Sequence, residues 1–198
     1  MAKVLYFLVT FLESILAVFG IRSAFEQPPY QVVSKLADHV EIRSYGPLVV
    51  VETKIGGEDG AAFSRLFRYI TGANAAGETI KMTAPVAQTG GSRFGGSSSS
   101  AGDAQTMQFV LPARLAAKPP APTDPQVSIA TVPARTLAVI TFAGSFGRRN
   151  LDLHLQELRD VLARAGRKAD GAPIFLGYDP PFTIPFLRRN EVALQIEP

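Results

Sequence analysis

The pattern that most constrains the fold of this chain is a succession of strand, strand, helix, strand and strand that occurs twice. The predicted strands are short, rich in β-branched residues and bounded by turn residues. They lie at 30–36, 40–45, 48–55, 107–111, 137–142, 173–178 and 191–196, with a further one around Val127 and Ile129. Antiparallel strands with helices packed against them form the α+β class, so the sequence predicts an α+β domain.

Two segments between these strands have the spacing of helices with one buried face. The first follows the acidic residues 58–59, ends before Gly72, and has a stripe of Phe63, Leu66, Phe67 and Ile70. The second begins near Asn150 and has a stripe of Leu151, Leu155, Leu158, Leu162 and Ala165. Apolar residues at this spacing are typical of a helix face that packs against the core, so we expect both stripes to be buried.

The composition fits one folded domain and excludes several kinds of site. The chain has 198 residues, 46% of them hydrophobic, and a net charge of +3 that is spread along the sequence. So small an excess does not provide the basic face of a nucleic-acid-binding protein. The chain has no cysteine, and its two histidines, His39 and His154, are far apart and lack a carboxylate pattern, so no metal site is expected. Motifs of a catalytic triad, a phosphate-binding loop or a dinucleotide site do not occur, so we do not expect an enzyme.

Residues 4–21 form an apolar segment near the minimum length for crossing a bilayer. On a helical wheel, most of its small and polar side chains fall within one arc: Tyr6, Thr10, Glu13, Ser14, Ala17 and Gly20. Such an arc is typical of a membrane helix that packs against a partner, because small and hydroxylated residues allow close approach. We therefore expect a retained membrane anchor. A cleaved signal peptide of an exported protein and a docked soluble helix are the alternatives.

The boundary of the folded domain follows from a change in composition. After Arg22 the chain becomes mixed polar and apolar, and the two prolines at 28–29 end the leading segment. We divide the chain into an N-terminal hydrophobic helix and linker at 1–27 and a domain at 28–198. A flexible Gly/Ser loop at 89–104 is read as an insertion within that domain, because neither side of the loop is complete alone.

Three longer motifs carry more specific information than the strand and helix pattern. They read VEIRSYGP at 40–47, YITGANAAGETIKMTAPV at 69–86 and GYDPPFTIPFLRRNEV at 177–192. In order and spacing they resemble the SOUL haem-binding protein family, which is related to GyrI-like effector-binding domains. The resemblance runs from about residue 30 to the C-terminus. It implies duplicated βαββ units that form a distorted antiparallel barrel with two packed helices, in agreement with the repeat described above.

The resemblance also implies a ligand, which is haem or a related tetrapyrrole held non-covalently by a carrier or buffer. One mode of the family uses an axial histidine in the segment EIRHYGP, where this chain has Ser44. The other mode holds haem against the first helix, with an apolar patch and basic residues that meet the propionates. The matching positions here are Phe67 and Arg68, with Phe63 on the same helix. The second basic position of that mode has no counterpart before Arg188.

Glu191 is a further candidate ligand-binding residue, at the start of the last strand, where it would point into the barrel. In related effector-binding domains a buried acidic residue of that strand meets cationic ligands, and some members hydrolyse small electrophiles. A carboxylate in a dry pocket can act as an acid or a base. The alternative is a structural ion-pair network at 188–191. A third interpretation makes the chain an accessory subunit of a membrane complex, bound through its N-terminal helix.

Overall fold

The α+β class predicted from the sequence is confirmed by a computed structural model, which describes residues 25–56, 59–89 and 105–197. In these ranges the strands are β1 (Tyr30–Ala37), β2 (Val40–Tyr45), β3 (Leu48–Lys54), β4 (Val86–Thr89), β5 (Thr106–Val110), β6 (Val127–Val132), β7 (Arg135–Phe142), β8 (Ala169–Gly177) and β9 (Asn190–Ile196). The α-helices are α1 (Asp59–Ile70) and α2 (Arg148–Arg164), and short 3-10 helices lie at Ala113–Leu115 and Pro185–Leu187.

Several predictions made from the sequence concern residues outside these ranges. The stripe from Tyr6 to Gly20, Glu58 of the acidic residues at 58–59, and almost all of the Gly/Ser loop at 89–104 are among them. Within the described ranges, no helix combines the length and hydrophobicity needed to cross a membrane.

The described strands form one antiparallel sheet in which the two repeats are interleaved. Its order is β1-β2-β7-β9-β8-β4-β5-β3-β6. The first repeat runs β2, β3, α1, β4, β5 and the second runs β6, β7, α2, β8, β9. Strands of one repeat pair with strands of the other at β2–β7, β3–β6 and β4–β8. Each repeat therefore completes the sheet of the other.

Strand alternation gives the sheet an outer face that is covered by the helices. On β7, Ala138, Ile140 and Phe142 lie under α2, whereas Leu137 and Val139 belong to the cluster on the opposite face. Successive side chains of a strand point to opposite sides, so one strand supplies both layers. A second outer cluster lies under α1 and contains Val51, Phe109 and Leu66, among others.

The inner face of the sheet curls around an enclosed space. Tyr45 of β2 and Val132 of β6 are near opposite ends of the strand order, yet they line the same small cavity. The sheet must bend strongly to bring these two side chains together. The inner face consequently forms a third cluster, which includes Tyr45, Leu137, Leu176 and Tyr178.

The structure corrects the predicted stripe of α1. Leu66 and Ile70 are buried as expected, but the expectation that Phe63 and Phe67 are core residues is wrong, since Phe67 is 46% exposed and Phe63 nearly as much. The face that meets the sheet is formed instead by Ala62, Leu66, Tyr69 and Ile70. These four residues also have helical spacing. When they face the sheet, the two phenylalanines lie at the edge of the contact between the helix and the sheet.

The second half of the chain needs smaller corrections at the ends of its elements. Helix α2 begins at Arg148, and its stripe ends at Leu162, because the helix stops at Arg164 and leaves Ala165 exposed as its C-cap. Strand β8 begins at Ala169, four residues before the predicted start at 173.

Candidate ligand-binding groove

An apolar groove with a volume of about 410 Å³ lies between α1 and the chain that follows β8. Four parts of the sequence meet there, and two of them, at 82–86 and 177–182, belong to the longer motifs noted above. The walls come from the helix residues Phe63 and Phe67, from Phe25, from Met82, Thr83, Ala84 and Val86, and from residues 177–182. The sequence did not assign residues 82–86 and 177–182 to the walls of a binding site.

Two partly exposed aromatic rings form one wall of the groove. The rings of Phe63 and Phe67 are stacked, with centroids 5.9 Å apart and planes inclined by 15°. Phe63 is held by the core through an edge contact with buried Phe109, at 5.3 Å between centroids. Across the groove Phe182 is also exposed. Exposed aromatic surface on both sides of a concave apolar site is typical of a place where a ligand is bound.

The segment at 82–86 is held in place by hydrogen bonds to the backbone around it. The Thr83 hydroxyl donates to the carbonyl oxygen of Val110 at 2.5 Å, and the Ala84 amide donates to that of Glu26 at 3.0 Å. Upstream, the Asn74 side chain donates to the carbonyl oxygens of Tyr69 and Glu78, which fixes the chain leaving α1. This wall of the groove is therefore preformed.

The opposite wall, at 177–182, is braced by Arg188 and Asp179. The Arg188 guanidinium donates from Nε to the carbonyl oxygen of Thr183 at 2.8 Å, and from Nη2 to that of Pro181. The Asp179 carboxylate accepts the amide proton of Arg189 at 2.6 Å. Arg188 thus holds the loop that carries Phe182.

Glu191 is not in the groove but in the interior of the sheet. It is 0% exposed and points inward, as its position on β9 suggested. Its Oε1 accepts hydrogen bonds from Arg43 at 3.0 Å, from Arg189 at 2.6 Å and from the Thr141 hydroxyl at 3.1 Å. Its Oε2 accepts the phenol proton of Tyr178 at 2.8 Å. Both oxygens are occupied, so this geometry does not support a role of Glu191 as an acid or base, or as a receptor for cations.

Tyr178 connects this network to the groove, because its ring lines the groove while its hydroxyl contacts Glu191. Burial, together with the Glu191 carboxylate, raises the pKa of Tyr178 far above its ordinary value. For Arg43, burial alone would lower the pKa, but the charge of Glu191 and hydrogen bonds with Tyr45 and Glu191 together raise it. The phenol therefore stays neutral and the guanidinium stays charged.

Comparison with known proteins places the chain in a family. A family model described as "SOUL heme-binding protein" matches residues 25–195. The chain belongs to the SOUL family. Heme-binding protein 2 of Mus musculus is 32% identical to it over 164 residues, or 78% of this chain and 76% of that protein. Heme-binding protein 1 of Bos taurus is 29% identical over 136 residues, or 67% of this chain and 68% of that protein.

Solved structures resemble the SOUL domain in fold alone. A hydrolase from Listeria innocua superimposes with a TM-score of 0.57 at 11% identity, over 83% of this chain and 94% of that chain. At such low identity the likeness extends to the arrangement of strands and helices and not to the chemistry of the site.

The SOUL positions identified in the sequence are distributed over different parts of the structure. Phe63 and Phe67 line the groove. Arg68 follows Phe67 on α1 but does not line the groove, and its Nη2 lies 3.5 Å from Oδ2 of Asp124 in an exposed ion pair. Ser44 lies on β2, where it pairs with Thr136 of β7, away from the groove.

Neither histidine contributes to the groove of this SOUL protein. Nε2 of His39, between β1 and β2, lies 2.7 Å from Oε1 of Glu157 on α2. The ring of His154 stacks on Phe142 with centroids 3.9 Å apart, and its Nδ1 is hydrogen-bonded to the carbonyl oxygen of Asn150. Both rings are engaged on the α2 side of the sheet.

Proposed function

We propose that this protein binds haem or a related tetrapyrrole in the groove beside α1, and that it carries or buffers this ligand without redox turnover. The observation that carries the proposal is the pair of stacked, partly exposed rings of Phe63 and Phe67, which line one mostly apolar groove with residues from 82–86 and 177–182. Membership of a family described as heme-binding supports the choice of ligand.

The groove fits a flat apolar ligand in size and in chemistry. Its volume of about 410 Å³ lies within the range of about 300–1,000 Å³ that is usual for small-molecule sites. A macrocycle between Phe67 and Phe182 would cover aromatic surface that water now contacts. Phe67 is partly exposed before binding, and its contact with a ligand adds apolar burial at no cost to the core.

The polar ends of the ligand have fewer partners than the apolar ring. Arg68 is the propionate partner that we propose, because it follows Phe67 and, among the described residues, its guanidinium is paired with Asp124 alone, at an exposed position. A guanidinium can bind a carboxylate through two parallel hydrogen bonds. Arg188 is not a second partner, since its guanidinium braces residues 181–183. No histidine lines the groove among the described residues, so we propose binding without an axial histidine.

Titration of the purified full-length chain with haemin, followed by the Soret band, tests this function. We expect saturable binding that is about tenfold weaker in Phe67→Ala, because a Phe side chain contributes roughly 1.5–3 kcal/mol when fully covered. Phe186→Ala is the matched control, since Phe186 is more exposed than Phe67 and does not line the groove. Absence of a saturable Soret shift in the wild-type chain, or equal weakening in both variants, would refute the proposal.

A carrier must also release its ligand. Mixing the haem-loaded chain with an excess of apomyoglobin should transfer haem completely, with a first-order rate set by dissociation. If the loaded chain instead consumed peroxide or transferred electrons catalytically, the non-catalytic role would be wrong.

We further propose that the segment at 4–21 tethers the domain to a membrane. The support is its hydrophobicity and the arc from Tyr6 to Gly20 in the sequence. The full-length chain should remain in the membrane fraction after a wash with alkaline carbonate, whereas release into the supernatant would exclude an anchor. Detection of a shortened N-terminus by mass spectrometry would favour signal cleavage.

A further inference from the structure

The inner face of the curled sheet carries an arginine, Arg135, that has no counter-ion among the residues that the structure describes. Arg135 is the first residue of β7 and shares the inner face with Leu137 and Val139. Its Nε atom is buried and has no hydrogen-bond partner. Within the described ranges no carboxylate lies at ion-pair distance from its guanidinium. A buried donor without a partner is costly, so native proteins rarely retain one without a reason.

The neighbouring arginines of the interior do not share this situation. Arg43 is paired with Glu41 and Glu191, and Arg189 is paired with Glu191. Of these three guanidinium groups, that of Arg135 is the one without a carboxylate at ion-pair distance among the described residues. Burial lowers the pKa of Arg135, although the nearby phenol of Tyr45 opposes this. The guanidinium of Arg135 is therefore available to pair with a negatively charged ligand.

Arg135 lines a cavity that would hold only a small molecule. The volume of about 40 Å³ accommodates about three water-sized groups. Most of the lining is apolar and comes from strands of both repeats: Leu48, Val50, Ala87, Val110, Leu137 and Leu176. The other polar side chains at its wall are engaged elsewhere, since Tyr178 donates to Glu191 and Gln108 donates to Glu52.

We propose that this cavity is a binding site for a short-chain monocarboxylate of the size of acetate or propionate, whose carboxylate pairs with Arg135. The planar guanidinium matches a carboxylate in shape and charge, and the apolar walls suit a methyl or ethyl group. The site is separate from the groove beside α1: it lies on the inner face of β4 at Ala87, whereas Val86 of the same strand faces the groove.

The test is isothermal titration of the full-length chain with sodium formate, acetate, propionate, butyrate and hexanoate, against sodium chloride at equal ionic strength. We expect saturable binding of acetate or propionate, and weaker binding of hexanoate because the cavity is too small for it. Arg135→Met should weaken binding by about tenfold or more, since it removes the charged fork and keeps the length of the side chain. Arg114→Met is the matched control, because Arg114 is exposed and paired with Glu78.

A second variant keeps the proposal open to refutation if Arg135→Met fails to fold. Ala87→Val places two methyl groups in the cavity and leaves the guanidinium intact, so it should also abolish binding of propionate. The proposal is overturned if no acid binds more tightly than chloride, if Arg135→Met and Arg114→Met bind alike, or if Ala87→Val binds as the wild type does. Retention of haemin binding in Arg135→Met would separate this site from the groove.

Discussion

Arg43 and Glu191 form an ion pair across the middle of the sheet, with 3.0 Å between Nη1 and Oε1 and both side chains shielded from water. They lie on β2 and β9, which are separated by β7. Thr141 of β7 donates to the same carboxylate oxygen. The pair therefore ties together three strands that come from both repeats and from distant parts of the sequence.

Removal of the charge from Glu191 should destabilise the protein strongly. Glu191→Gln leaves Arg189 without a counter-ion and leaves Arg43 with Glu41 alone. Breaking one partner of a buried pair costs about 3–5 kcal/mol of unfolding free energy. Glu157→Gln breaks only the exposed contact with His39 and should cost at most about 1 kcal/mol. Urea denaturation measures both. A loss in Glu191→Gln no larger than in the control would mean that the network does not hold the sheet.

Substitutions at two neighbouring residues of α1 should have different effects on stability and on haemin binding. Leu66 is 0% exposed under the helix, so Leu66→Ala should lower the unfolding free energy by about 2–5 kcal/mol. Phe67 is half exposed at the groove, so Phe67→Ala should cost clearly less, while it weakens haemin binding. Thermal melts and Soret titrations of both variants provide the comparison. The assignment of Phe67 to the groove fails if Phe67→Ala is the more destabilised of the two.

The buried tyrosines should make the fold sensitive to alkali. Burial raises the pKa of Tyr45, Tyr69 and Tyr178 in the folded chain, whereas a phenol in the unfolded chain ionises near a pKa of about 10. Below about pH 10 these phenols are neutral in both the folded and the unfolded chain, and their contribution to the free energy of unfolding is fully present. As the pH rises above that value only the unfolded state loses protons, so stability falls. Melting temperatures from pH 8 to 12 should therefore decline, and phenolate absorbance near 295 nm should rise together with unfolding. Full phenolate absorbance in a still folded chain would contradict this.

Replacement of the histidines should leave the spectrum of the haem complex unchanged. His39 contacts Glu157 and His154 stacks on Phe142, both on the side of the sheet that carries α2. The double variant His39→Ala/His154→Ala should therefore show the same Soret position and the same haemin affinity as the wild type. A displaced Soret maximum in the double variant would assign an axial role to one of them and move the ligand from the proposed groove.

The sequence predicts the elements of this fold better than it predicts their contacts. The alternation along 137–142 is enough to predict that Ile140 and Val139 lie on opposite faces of the sheet, because a strand has only two faces. On α1 the same approach fails, since Leu66 belongs to two overlapping stripes and only the sheet decides that Tyr69, rather than Phe63, lies beneath the helix. The inward direction of Glu191 follows from its place on β9, but its partner Arg43 depends on strand order, which a single sequence does not contain.

Part of the groove could be predicted from the sequence. Residues 82–86 and 177–182 lie in the motifs that resemble the SOUL family, but the motifs alone do not identify them as walls of one groove. Their meeting with α1 results from the pairing of β4 with β8, which are far apart in the chain. The unpartnered Nε of Arg135 could not be predicted from the sequence, because a lone arginine at the start of a strand is usually a surface residue.

The position of Tyr178 gives the protein a natural optical reporter. Its ring forms part of the wall of both the groove and the interior cavity. The chain contains five tyrosines and no tryptophan, so its ultraviolet emission comes from phenol rings alone. A coloured macrocycle beside Tyr178 would quench that emission by energy transfer, whereas a colourless carboxylate would not. Fluorescence of the unlabelled chain thus reports filling of the groove by the macrocycle, whether or not a carboxylate occupies the cavity.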